Sequence, residues 1–270
     1  MLRNIKTDLY RLFTSFEVYL FPIAVVLIDV ALFIAKFIFG AEIEAGGGNI
    51  YLILGDFMAN QLLAIVSGIV FAIYLAKEYK EGYIKNIAGS MSGRFMQTVS
   101  KYITGIVLFF GYYIFTSVEG AVRSLIFEGG IDTDISYVSE NFIFFGPGAE
   151  GDVAKVWWAW LLTAILLHIM LMTLILLCTE LTRGKTLGCI AGIIIPLGVV
   201  DVLIEQFFLL MQNVLGWFEG FEIEAYLPFE HLRPDFWCKP EIDIRPIVTA
   251  GVLMVIYFGL SAYIHKKKDI

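Results

Sequence analysis

Six apolar runs, each close to the length of a membrane span, divide this chain at residues 18–39, 52–76, 102–127, 156–178, 187–210 and 247–264. About 20 such residues are what an α-helix needs to cross roughly 30 Å of hydrocarbon. Lipid offers the backbone no hydrogen-bond partners, so only helices or closed barrels cross it, and these runs lack the alternating polar positions of barrel strands. The expectation is therefore an all-α, polytopic membrane protein of about six spans, forming a single transmembrane domain over 1–270. Composition agrees, since 59% of the 270 residues are hydrophobic, against roughly 45–50% for a soluble domain.

The net charge of -7 averages two populations that the spans separate. Arg3, Lys6 and Arg11 precede the first span. Lys77, Lys80, Lys85, Arg94 and Lys101 lie between the second and third, Arg183 and Lys185 between the fourth and fifth, and Lys266, Lys267 and Lys268 follow the last. The intervening segments are acidic, with Glu42 and Glu44, then Glu128 through Asp152, then Glu219 through Asp243. Basic loops stay in the cytoplasm, so both termini are predicted inside, in a multi-pass cell-membrane protein. Nothing in this charge pattern implies nucleic acid. Cys178 and Cys189 fall in apolar runs and Cys238 in a polar loop, which makes no disulfide framework. No small-residue cleavage site follows the first apolar stretch, so the N-terminus is read as uncleaved.

Ahead of the first span, Ile5, Leu9, Leu12, Phe13 and Phe16 recur at helical steps, with Lys6 and Arg11 off that stripe. This predicts an interfacial helix over 1–17, with simple extension of the first span as the plainer reading. Between the last two spans, GWFEGFEIEAYLPFEHLRPDFW interleaves aromatics with acids. A re-entrant hairpin in the outer leaflet and an aromatic belt both account for it.

The second cytoplasmic segment, KEYKEGYIKNIAGSMSGRFMQTVSK, joins two spans that a few residues could have linked. Tyr83, Ile84 and Ile87 form a small apolar face flanked by Lys80, Lys85 and Arg94, and Gly82, Gly89 and Gly93 punctuate it. A compact knob of this kind suits docking to a soluble partner; a solvated loop obeying the charge rule is the ordinary alternative. The residues Glu78, Gly82, Ile84, Lys85, Asn86, Ser92, Gly93 and Arg94 resemble the corresponding stretch in permease subunits of type-2 ABC transporters. The six-span layout, the interfacial helix and the re-entrant region resemble that family too.

The resemblance implies that Glu78, Gly82, Tyr83, Ile84, Lys85, Asn86, Ile87 and Arg94 form a coupling element for a separate cytoplasmic ABC ATPase. It also implies an assembly of two copies of this chain with two ATPase subunits, working as an exporter. ATP and Mg belong to the partner, and this chain itself binds no cofactor. The span faces are rich in Phe, Leu and Ile, so hydrophobic or amphipathic peptides are the first substrate class, with lipids or drugs second. The rival from another class is an ATP-independent peptide-binding or immunity protein.

Enzymatic motifs fare worse. TELTRGKT, at 179–186, ends like GxxxxGK[ST], but Thr179 replaces the first glycine and no strand precedes it. SMSG, at 90–93, is similar to the GxSG of rhomboid-like intramembrane proteases with the first glycine replaced. Its Ser92 sits in a basic loop rather than within the bilayer beside a His. No HExxH occurs, and His168 has no acid beside it. The chain is thus expected to be neither catalytic nor metal-binding.

Ionisable side chains inside spans are costly and mark functional candidates. Lys36 and Arg123 are near span ends, Asp56 begins its span, and Glu119 can pair with Arg123 four residues on. Asp29, His168 and Asp201 remain as candidates for a translocation pathway or for interior polar contacts, with Asp29 and His168 nearest the bilayer centre.

Overall fold

The computed structural model describes residues 2–39, 48–59, 61–80, 94–134, 153–215, 221, 223–227 and 244–267. They form helices α1 (Leu2–Thr14), α2 (Glu17–Phe39), α3 (Ile50–Ala59), α4 (Leu62–Lys80) and α5 (Arg94–Phe127). These are followed by α6 (Val153–Thr182), α7 (Lys185–Ile194), α8 (Val199–Leu215) and α9 (Arg245–Lys267), with a 3-10 turn at Ile223–Tyr226 before α9. Among the described residues there is no β-strand, only one bridge between Asn49 and Asp132. Five helices, α2, α4, α5, α6 and α9, are long and apolar enough to cross a membrane, and there are six if α7 and α8 count as one bent span.

α6 is the central post. It packs against α4, α5, α7 and α9, and buries Leu167, Met170, Leu171, Met172, Ile175 and Leu176. α4 and α7 approach closely, because Gly68 faces Gly192 and Ala72 faces Gly188. A Cβ on Gly192 would lie 3.2 Å from the Gly68 carbonyl carbon, and one on Gly188 would lie 2.9 Å from the Ala72 methyl. Both pairs repeat at four-residue spacing, the small-residue stripe that lets helices touch backbone to backbone in lipid.

The expected span at 52–76 is two helices. Gln61 has φ 58°, in the left-handed region that cannot continue a right-handed helix, and α4 starts just after it. The expected span at 187–210 is bent by 69° between α7 and α8. Pro196 interrupts the backbone ladder there, and Gly198, at φ 70°, takes a conformation that glycine adopts freely.

α1 is a separate helix, divided from α2 by the turn at Ser15 and Phe16, where the Ser15 hydroxyl donates to Glu17 at 2.6 Å. It lays Leu12 and Asp8 against the bundle and leaves Tyr10 and Phe13 exposed. α2 touches the rest of the bundle lightly. Its Pro22 has no N–H to give the Val18 carbonyl four residues back, and the Tyr112 hydroxyl donates to that carbonyl instead, at 2.8 Å. α5 runs for 34 residues, about 50 Å at 1.5 Å per residue, so it outreaches the hydrocarbon. Most of the expected re-entrant region at 211–245 lies outside the described residues.

Candidate functional site

One end of each of five helices, α1, α4, α5, α6 and α9, contributes to a buried network of ion pairs. Glu78, in the last turn of α4, is 1% exposed and meets two cations. The Arg11 guanidinium of α1 is 3.0 Å from one carboxylate oxygen and the Lys101 ammonium of α5 is 3.4 Å from the other. Lys101 also reaches Glu180 of α6 at 3.3 Å, and its ammonium sits 5.0 Å from the centre of the Tyr79 ring. The Tyr79 hydroxyl donates to the second Glu180 oxygen, which also accepts from His265 Nδ1 of α9 at 3.1 Å. His265 Nε2 is 3.0 Å from Gln97 Oε1, back on α5.

A second tier joins α1 more firmly. The Tyr74 hydroxyl donates to the Asp8 carbonyl at 3.0 Å, and the Ser100 hydroxyl donates to the Asp8 carboxylate. Burial pushes the Asp8 carboxyl above its ordinary value of 3.8, against the opposing influence of Ser100, Lys101 and Arg11. At the rim, Lys77 pairs with Glu17 at the start of α2.

Charges taken out of water hold together only when each is paired, and removing one partner strands the others. The charged side chains here pair with one another, which suits a joint between helices. The joint lies at a telling place in the chain. Glu78 and Tyr79 come just before residues 81–93, and Gln97, Ser100 and Lys101 come just after them. The helix ends on either side of those residues therefore belong to one network that also holds α1, α6 and α9.

Of the residues singled out in sequence, Glu78 is at the centre of this network. Gly82, Tyr83, Ile84, Lys85, Asn86 and Ile87 lie outside the described residues, and Arg94 is the first residue of α5. Asp29 is half-buried on α2 and lines a groove against α5 that neither His168 nor Asp201 lines. His168 is fully buried on α6, stacked on Phe109 with ring centres 5.0 Å apart, and its Nδ1 donates to the Ala164 carbonyl at 2.6 Å. Asp201 is buried in the first turn of α8. These three are not brought together.

Sequence reasoning missed Asp8, Tyr79, Glu180 and His265 as members of a common site. A signal existed, since Asp8, Glu78 and Glu180 are acids placed among the basic flanks of spans, where the charge rule favours Lys and Arg. Among the described residues no group of three or more His, Cys, Asp or Glu is arranged to hold a metal ion. This chain matches no protein-family model and no curated protein.

Proposed function

We propose that this chain is the transmembrane subunit of an ATP-driven exporter, paired with a second copy and with two cytoplasmic ATPase subunits. Its cargo is a hydrophobic or amphipathic molecule, peptides first and lipids or drugs second. The observation that carries this reading is that the helix ends flanking residues 81–93 share one buried ion-pair network spanning α1, α4, α5, α6 and α9. A push on that segment is a push on five helices at once. This is what conversion of nucleotide-driven closure into a change at a distant cavity requires. The basic residues at that end support a cytoplasmic location for it and for both termini.

The resemblance of Glu78, Gly82, Ile84, Lys85, Asn86, Ser92, Gly93 and Arg94 to a coupling element supports the same assignment. The experiment is purification of the tagged chain from its native membrane in mild detergent. An ATPase is expected to co-purify, with turnover that falls when Gly82 or Ile84 is substituted while the complex stays assembled. A chain that purifies with no ATPase defeats the exporter reading and leaves a membrane protein that binds peptide without ATP.

A further inference from the structure

α2 and α5 are fastened together at two levels and stand apart between them. Toward the charged network, the Phe21 and Tyr112 rings meet at 5.2 Å and the Tyr112 hydroxyl holds the Val18 carbonyl. Toward the opposite end, Lys36 Nζ donates to the Phe127 carbonyl at 3.0 Å and lies 5.0 Å from the centre of that ring. Between these fastenings is a groove of about 360 Å³, within the roughly 300–1,000 Å³ range of small-molecule sites.

The groove walls are almost wholly apolar, with Phe33 and Phe115 among the lining residues, and three ionisable side chains enter them: Asp29, Glu119 and Arg123. Glu119 and Arg123 pair with each other at 3.7 Å, so their charges cancel locally. Asp29 forms no hydrogen bond or ion pair with another described residue. It is twelve residues beyond Glu17 in a 23-residue helix, about 18 Å along the axis and so near mid-membrane. The nearest cation on its own helix, Lys36, is seven residues away and engaged with Phe127. One uncompensated carboxylate in an apolar cleft at that depth calls for a positive charge.

The mouth faces sideways. Val30, Val118 and Val122 are each about half exposed along its edges, so in a bilayer the groove opens to lipid.

We propose that the groove between α2 and α5 binds a lipophilic monocation, its positive centre against Asp29 and its apolar body along Phe33 and Phe115, entering from the lipid. As a binding site it needs no ATPase; that such a cation is also the cargo rests on the transport reading above. The two claims fail separately, because binding is measured on the purified chain alone.

The test uses the full-length chain in phosphatidylcholine nanodiscs, with radiolabelled tetraphenylphosphonium as probe and empty nanodiscs as background. Tetraphenylborate, of the same shape and opposite charge, is the control. Saturable binding of the phosphonium is expected, with affinity at least tenfold weaker in Asp29→Asn and retained in Asp29→Glu, and no saturable binding of the borate. Val122→Trp, which fills the groove and leaves every charge in place, is expected to abolish phosphonium binding. Equal affinity in wild type and Asp29→Asn, saturable borate binding, or full phosphonium binding by Val122→Trp would each overturn the proposal. So would a spontaneous disulfide between copies carrying Val30→Cys, which would give the groove to a second chain.

Discussion

The Tyr112 hydroxyl donates at 2.8 Å to the Val18 carbonyl, the one that Pro22 leaves without its helical donor. A side chain on α5 thus repairs the backbone of α2 and fastens a lightly packed helix to the bundle. Tyr112→Phe is expected to destabilise the protein by about 0.5–1.5 kcal/mol, the net worth of such a bond. In a Pro22→Ala background, where residue 22 regains its N–H, the same change should cost much less. Thermal unfolding of the four proteins in the double-mutant cycle measures the difference, and equal costs in both backgrounds would refute the relationship.

Lys101 stands between Glu78 and Glu180, within 3.4 Å of both. Lys101→Met leaves those carboxylates facing each other without their shared cation, at a cost of about 3–5 kcal/mol. Changing Glu78 and Glu180 to Gln in the same protein should recover most of the loss, because neutral groups of the same shape need no counter-ion. Melting temperatures in detergent decide this, and a single variant as stable as wild type contradicts the network.

Asp8 makes stability depend on pH in a stated direction. Its carboxyl is raised above 3.8 by burial, so the contribution of the protonated form is fully present below 3.8. It is lost as pH rises through the raised value. Asp8→Asn keeps an oxygen for the Ser100 hydroxyl and cannot ionise. The variant should melt at a higher temperature than wild type at pH 7.5, with the gap closing toward pH 4. A gap that widens on acidification would reverse the sign and sink the claim.

Gly192→Ala places a methyl 3.2 Å from the Gly68 carbonyl carbon, where the obstacle is backbone rather than a movable side chain. The α4–α7 contact must then open, at about 1–3 kcal/mol. Gly111→Ala has nothing within 4 Å of the added Cβ and serves as the control, expected to be neutral or better in a helix interior. Similar losses for both would show that the close approach does not matter.

The candidate site was only partly legible in sequence. Glu78 stood out through the resemblance of its neighbourhood to a coupling element, but Lys101 passed as one more cytoplasmic cation. Glu180 falls inside the stretch that ends like a phosphate-binding loop, and His265 in a basic tail. No spacing rule joins them, since His265 and Gln97 are 168 positions apart.

By itself the sequence determined that the chain is helical and suited to a membrane, and roughly where its apolar helices lie. Hydropathy and charge act residue by residue along the chain, and lipid leaves an unbroken apolar run few other structures. The tertiary structure alone decided which helices touch, where they break and which charges meet. The left-handed turn at Gln61 and the 69° bend after Ile194 fall inside runs long enough to read as single spans. The pairing of Glu78 with Arg11 and of Glu180 with Lys101 depends on the packing of α1, α4 and α6 around α5. Such contacts are properties of pairs of distant residues, and a buried charge takes the partner that packing brings within reach.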